Sequence, residues 1–442
     1  MQQGRELDTL SVIIPLYNKQ ADIELTLHSI MAQSLQPREV IVVDDGSTDQ
    51  SAAIVERMAY PAVRLVRQRN AGVSAARNRA IAEAKGEWVA LMDADDMWHP
   101  DYLLSFERML RRYPDCEAFG TAFRERPQVE FARLLAQTLP DPLDSVYFLN
   151  SGAEAVEGAL KLAKRYTGRT EMISMRRAYH GSTHGAMSMM GQPEGEEWKS
   201  AFRPLLPDTK AIRFNHKEDL KQITERTACV LCEPVQGEAG VRPPEDGFLQ
   251  ALRERCTEVG ALLIFDEIQM GMGRSGEMFA MQRYGVTPDV VCLAKALGGG
   301  MPLGAFVSSQ EIMATLTHDP VLGHITTFGG HPVCCAAGLA AMRYLIDNKV
   351  VEDVERKGAM YEELLRDHPA VREIRRSGLL LAVELGASEK LYRLMDIFIE
   401  EGILSDWFLY CDTAFRISPP LVISDEEIGD SVRLIRKCLD RL

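Results

Sequence analysis

Two stretches constrain this 442-residue chain more than any others. Leu262-Leu263-Ile264-Phe265-Asp266 is an apolar run that ends in a carboxylate. Val290-Val291-Cys292-Leu293-Ala294-Lys295 is a second apolar run that ends in an amine, with Gly298-Gly299-Gly300 close behind. Such runs, bounded by turn residues, read as strands buried on both faces, hence as a parallel sheet clad in helices. Ligands of such sheets bind at the carboxyl ends of the strands. A charge at a buried strand tip is costly unless something there uses it. An aspartate and a lysine on two such tips suit pyridoxal phosphate. The lysine would form a Schiff base with the aldehyde, and the aspartate would keep the pyridine nitrogen protonated. The same residues also read as a buried Asp–Lys ion pair, or as two surface charges at strand ends.

The length allows two or three domains with full cores. Hydrophobic residues make up 46% and charged residues 26%, the balance of a soluble globular protein. A net charge of −14 gives no reason to expect nucleic acid or an anionic membrane as a partner. The nine cysteines show no paired or metal-ligand spacing, and Cys229, Cys232 and Cys292 sit in apolar runs. They are expected to be reduced core residues of a cytoplasmic protein. The N-terminus has no apolar signal core, and no run approaches membrane-spanning length.

From the start of the chain, apolar strands alternate with helical patterns. Strands are expected at 10–17, 40–43, 63–66 and 87–92, with helices between them, so this half also predicts a parallel sheet. Its strand tips carry Pro15 and Tyr17, then Asp44 and Asp45, then Asp93, Asp95 and Asp96. An Asp-x-Asp after a buried strand can hold a hard divalent cation bridging to a diphosphate. One such motif alone also reads as a solvated acidic turn; three polar tips in one sheet favour a nucleotide site.

Val12-Ile13-Ile14-Pro15-Leu16-Tyr17-Asn18, Val42-Val43-Asp44-Asp45-Gly46-Ser47-Thr48-Asp49, Asn70-Ala71-Gly72-Val73-Ser74-Ala75-Ala76-Arg77-Asn78 and Leu91-Met92-Asp93-Ala94-Asp95-Asp96 together resemble the family 2 glycosyltransferases over about 9–123. The resemblance implies a GT-A-like nucleotide-sugar module. Pro15, Tyr17 and Asp45 would contact the nucleotide, and Asp93 and Asp95 would hold the diphosphate through Mg2+ or Mn2+. Only Glu117 to Phe123 follows before the sequence changes character, so the acceptor half and its general base are missing from the pattern.

After Arg124-Glu125-Arg126-Pro127, an amphipathic helix is expected over 129–139 and a strand over 145–149. Asn150-Ser151-Gly152-Ala153 then turns into a helix, and a helix start of this kind offers backbone N–H groups to a phosphate. An ordinary capped helix reads the same way. Tyr179 could stack on a planar ring or simply pack. Cys229 to Glu233 repeats the pattern of a buried strand followed by an acid. Arg416 reads as a surface charge or as a bidentate partner for a substrate carboxylate.

Asn150-Ser151-Gly152-Ala153-Glu154-Ala155, Tyr179-His180-Gly181, Glu233-Pro234-Val235-Gln236-Gly237-Glu238, Phe265-Asp266-Glu267-Ile268-Gln269, Ala294-Lys295-Ala296-Leu297-Gly298-Gly299-Gly300 and Thr327-Phe328-Gly329-Gly330 jointly resemble the class III aminotransferases of fold type I over about 127–442. The resemblance implies that Lys295 holds the cofactor and moves a proton, and that Asp266 pairs with the ring nitrogen. Gln269 would bond the ring hydroxyl, Tyr179 would cover the ring, and the backbone of Gly152 and Ala153 would hold the phosphate. Ser151, His180, Glu233 and Ile268 would line the same cofactor site. Thr327 would reach the phosphate of a partner subunit, which implies a homodimer. Arg416 would bind the carboxylate of a keto acid, with Glu238 as its alternative partner.

The expected architecture is therefore α/β. A truncated GT-A-like half-domain spans 1–124, a large cofactor domain 125–340 and a C-terminal small domain 341–442. The expected activity is a pyridoxal phosphate transaminase acting on an amine or amino acid and a keto acid, joined to a nucleotide-sugar module. A glycosyltransferase, or a non-catalytic fusion of two truncated domains, is the alternative. Family members related to ornithine and acetylornithine carry Arg directly after the His-Gly; here that residue is Ser182, which argues against an ornithine-type substrate. The family's opening segment has no counterpart, so the pocket is expected to be open on its substrate side.

Overall fold

The computed structural model describes residues 5–112, 126–191, 196–318, 320 and 323–442. Residues 117–123, the last stretch before the sequence changes character, lie outside them. The chain forms two compact units, Met1–Phe123 and Arg124–Leu442.

In the first unit β1 (Arg5–Leu16), β2 (Leu35–Asp44), β3 (Val63–Arg67) and β4 (Trp88–Leu91) form one sheet in the order β3-β2-β1-β4, parallel throughout. Val12, Ile13, Ile14, Val40, Ile41, Val42 and Val43 are fully buried, as continuous apolar strands require. The alternate residues serve opposite faces: Val12 and Ile14 pack with Ile23, Leu27 and Ile30 of the helix over 23–31, while Ile13, Ile41 and Val43 meet Ala76 and Ala80 of the helix over 73–83. The strand order reverses between β1 and β4, so the tips bearing Tyr17 and Asp93 flank a topological switch point.

The second unit holds two sheets. The larger has seven strands: β5 (Ser145–Leu149), β6 (Glu171–Met175), β7 (Thr209–Ile212), β8 (Thr227–Cys232), β9 (Leu262–Asp266), β10 (Val290–Leu293) and β11 (Gly304–Ser308). Their order is β5-β11-β10-β9-β8-β6-β7, and only β11 runs against its neighbours. Every residue of β8, β9 and β10 is buried. Along β8 the side chains alternate between two cores. Val230 and Cys232 face Phe248, Leu252 and Phe265, while Cys229 and Leu231 face Val156, Ala159 and Leu160 of the helix over 152–167. Burying each Val, Leu or Phe side chain among these stabilises by about 1.5–3 kcal/mol. The smaller sheet, β12 (Glu373–Ser377), β13 (Leu380–Glu384), β14 (Trp407–Phe408) and β15 (Cys411–Ile417), is antiparallel in the order β12-β13-β15-β14 and packs on its own core around Phe398, Phe415 and Ile428.

The eight described cysteines are free thiols, and all but Cys411 are buried. Among the described residues no helix is long and apolar enough to cross a membrane.

The helix over 332–347 lies directly on the turn that carries Lys295. Its Gly338 leaves room for the Leu297 carbonyl and the Phe131 ring. Gly299, at φ +58°, faces it so closely that a Cβ there would stand 2.5 Å from the Ala337 oxygen. Both the left-handed backbone and the contact forbid a side chain. Gly299→Ala is expected to destabilise the protein by about 2 kcal/mol or more. Urea denaturation measures this; an unchanged midpoint would mean that the helix does not bear on the turn.

Candidate active site

The tips of β8, β9 and β10 converge because the strands are parallel neighbours. Cys232 pairs with Phe265, and Cys292 pairs with Asp266. The next residues out are therefore Glu233 beside Asp266, with Lys295 three positions beyond Cys292. Asp266 is 5% exposed and fixed by two donors. His180 Nδ1 donates to its Oδ2 at 2.7 Å, and the Ile268 backbone N–H donates to its Oδ1 at 3.0 Å. A carboxylate accepts, so Nδ1 carries the proton of this bond, and the other ring nitrogen is Nε2. That Nε2 is buried without a partner.

Glu233 is also 5% exposed, and its Oε2 has no partner. Burial, then the charges of Asp266 and Glu238, push its carboxyl well above the usual range, against the opposing pull of Lys295 and the Gly237 N–H. Lys295 itself opens the short 3-10 turn over 295–298 in a left-handed conformation, φ 50°. This costs a β-carbon-bearing residue about 1 kcal/mol, a strain typical of functional turns. Its side chain is exposed.

The helix over 152–167 starts at the tip of β5. Ser151 caps it by accepting from Glu154 N at 3.2 Å, and Glu154 in turn accepts from Asn150 N at 2.8 Å. The first-turn N–H groups of Gly152 and Ala153 have no partner within a helix and carry its positive dipole end. A Cβ on Gly152 would stand 2.8 Å from Ile268 Cδ1, so Ile268 and the helix start are fitted to each other. Tyr179 is half-buried, and its hydroxyl meets Ser182 Oγ at 3.1 Å.

Arg416 on β15 donates to Glu238 Oε1 at 2.8 Å and lies over the Phe408 ring, 4.6 Å from its centre. Glu238 Oε2 accepts from Leu409 N at 3.0 Å. The Gln269 amide reaches Glu238 Oε1 at 3.5 Å, so Gln269, Glu238 and Arg416 form one continuous string of polar groups. Thr327 is exposed in the loop beside β5 and takes part in none of these bonds.

Two neighbours were not foreseen from the sequence. Tyr410 has a buried, unpartnered hydroxyl that burial and the nearby charge of Glu233 push upward in pKa. Glu157, from the helix over 152–167, accepts from Thr183 Oγ1, Gly185 N and Ala186 N at 2.6, 2.8 and 3.2 Å, pinning the loop behind Tyr179 and His180. No local pattern announces either contact, since each joins residues far apart in the chain.

Glu267, next to Asp266, faces away and caps the helix over 280–284 through Ala280 N and Met281 N at 2.9 and 2.7 Å. Burial outweighs these bonds and raises its carboxyl to about 7. An unfolded glutamate ionises near 4.5, so the folded state holds the extra proton between these values. Stability contributed by this group is therefore present below about pH 4.5 and lost as pH rises towards 7, by about 3 kcal/mol in all. The stability gap between the wild type and Glu267→Gln is expected to shift by that amount between pH 4.5 and 8 in denaturant titrations. A pH-independent gap would contradict it.

In the first unit Asp45 is 2% exposed. Burial raises its pKa, but bonds from Gln68 Nε2, Ala71 N and Gly72 N at 2.7, 2.9 and 2.8 Å outweigh this and hold it low. Its carboxylate thus already organises the 70–72 turn. Asp93 and Asp95 are exposed and paired with cations of the chain itself, Arg77 at 2.6 Å and Lys19 at 2.5 Å. Pro15 is half-buried and Tyr17 exposed. Among the described residues no three His, Cys, Asp or Glu side chains gather as metal ligands.

The second unit has the fold of the pyridoxal phosphate transaminases of fold type I. A transaminase from a marine Virgibacillus superposes with a TM-score of 0.68 at 26% identity, over 76% of this chain and 85% of that one. The ornithine aminotransferase of Toxoplasma gondii gives 0.67 at 31% identity, over 76% and 82%. The acetylornithine aminotransferase of Methanopyrus kandleri is 40% identical over 332 residues, 75% of this chain and 82% of that protein. Residues 117–439 match the model of the family "Aminotransferase class-III", and residues 11–178 match that of "Glycosyl transferase family 2". The chain belongs to the class III aminotransferases. Members of that family are enzymes that bind pyridoxal phosphate, and both motif sets read from the sequence match the corresponding families.

Proposed function

We propose that the second unit is a pyridoxal phosphate transaminase that moves an amino group between an amine or amino acid and a keto acid. The observation that carries this reading is the convergence of Lys295, the His180-oriented Asp266 and the unpartnered Glu233 Oε2 at three adjacent strand tips. The donor set fits the cofactor. Asp266 offers a fixed negative charge, the helix start at Gly152 and Ala153 offers N–H groups for a phosphate, and Tyr179 and Ile268 offer faces for a ring. When bound, pyridoxal phosphate supplies the aldehyde that takes up the amino group and a ring that accepts electrons. Lys295 attaches the cofactor and carries the proton at Nζ. Gln269 would hold the ring oxygen. Arg416 takes the substrate carboxylate, leaving Glu238 when it does so. Thr327 of a second copy completes the phosphate site, so the working form is a homodimer. Ser182 leaves no cation after the His-Gly pair, so the amine donor lacks the carboxylate that an ornithine-type site recognises there.

Visible absorption of the purified protein with added pyridoxal phosphate tests the reading. A band that amine donors bleach and keto acids restore is expected. A band that no donor bleaches would favour the non-catalytic fusion.

A second reading concerns the first unit: a nucleotide-sugar module with Pro15, Tyr17 and Asp45 at the nucleotide and Asp93 and Asp95 at a Mg2+- or Mn2+-bound diphosphate. The switch point between β1 and β4 favours it. In that reading Lys19 and Arg77 release the two acids when the cation arrives.

A further inference from the structure

Glu233 is the one buried carboxyl at the three strand tips that lacks a full set of partners. Its neighbours come from every element packed on it. Asp266 is next to it on β9, Glu238 stands on the turn that follows β8, Lys295 follows β10, and Tyr410 comes from the segment between β14 and β15. Two of these are carboxylates. The sole cation, Lys295, is exposed, and Tyr410 brings a hydroxyl that has no partner of its own. The Cys232 thiol on the preceding residue donates to the Glu233 backbone carbonyl at 3.3 Å, not to its carboxyl. Of the two adjacent acids, Asp266 has two hydrogen-bond donors fixed on it. Glu233 has only the Gly237 N–H. An ionised Glu233 would be a second buried negative charge beside the first, without a paired cation, which is the costliest state such a group can adopt. The proton of the pair therefore belongs on Glu233.

We infer that Glu233 is an undissociated carboxylic acid that serves as a hydrogen-bond donor to an oxygen of the bound cofactor. A protonated carboxyl has one O–H to give, and no protein acceptor stands at Oε2. An oxygen-bearing group bound beside Asp266 and Lys295 would supply the missing acceptor. The inference deepens the transaminase reading and rests on it. It adds to Lys295 and Asp266 a third polar residue with a distinct task, the placement of a neutral donor where a charged one would be repelled by Asp266.

The experiment is infrared difference spectroscopy of the full chain against Glu233→Gln, with and without pyridoxal phosphate. The wild type at neutral pH is expected to show the carbonyl stretch of an undissociated acid that the variant lacks. Adding the cofactor is expected to move that band to lower frequency. Glu233→Gln retains an N–H donor and is expected to bind the cofactor within about threefold of wild type. Glu233→Leu, which retains none, is expected to bind about tenfold more weakly. No acid band in the unloaded wild type would show an ionised Glu233 and overturn the inference. A band unmoved by cofactor that has visibly bound would remove the donor role. A wild type that develops no visible cofactor band would overturn the transaminase reading and the donor role with it, while the infrared band would still report the protonation of Glu233.

Discussion

Lys295→Ala is expected to abolish the visible cofactor band and to reduce amine-to-keto-acid turnover by at least about 10³-fold. In the proposed function the lysine has two tasks, attachment and proton transfer, and alanine would perform neither. The substitution is also mild structurally. The side chain is exposed and buries no core surface, and alanine has the same backbone preferences at φ 50°. Stability is therefore expected to change by less than about 1 kcal/mol, so that lost activity reports chemistry and not unfolding. Full turnover in the variant would remove Lys295 from the mechanism. A collapse in stability would mean that the turn depends on the lysine itself.

Asp266→Asn is expected to weaken cofactor binding and to lower kcat by about 10²–10³-fold, the loss typical when one fixed electrostatic partner of the reacting group is removed. The amide keeps the size and the contact with the Ile268 N–H, but not the charge. His180 can still reach it by exchanging its ring proton, so the pocket wall survives. What disappears is the negative charge that, in the proposed function, would hold a pyridine nitrogen protonated. Absorbance titration of the cofactor together with steady-state kinetics separates the two effects. A variant with unchanged kcat would show that the ring nitrogen gains nothing from this residue.

The two sets of buried strands could be read from sequence because they are short apolar runs closed by turn residues. Asp266, Lys295 and Glu233 were visible for the same reason, as polar groups at the ends of runs that should have none. Less visible was β11, which runs antiparallel between β10 and β5. Gly304 to Ser308 has the composition of any buried strand, and direction leaves no trace in such a run. β2 extends back to Leu35 past Pro37, because its first residues pair with Arg5, Glu6 and Leu7, a partnership 30 residues away that local pattern does not record. The pairing of Asp93 with Arg77 and of Asp95 with Lys19 has the same origin. The motif presents four separate residues, and only the fold shows that two acids expected to face a metal already have cations of their own. The exposure of Lys295 depends on how distant segments pack around the turn, which the turn's own residues do not encode.

The seat of Lys295 on the helix over 332–347 joins two properties usually discussed apart. Ala337, Gly338 and Ala341 are small because the Leu297–Gly299 turn rests on them, with Phe131 wedged behind. A methyl group added to that helix would have nowhere to go except into the turn, and the turn would carry the amine with it. The reactive nitrogen is in this sense mounted on the hydrophobic core as on a bearing. Its position inherits the stiffness of close-packed apolar matter, and any loosening of that core would register as wander at the amine before it registered as unfolding.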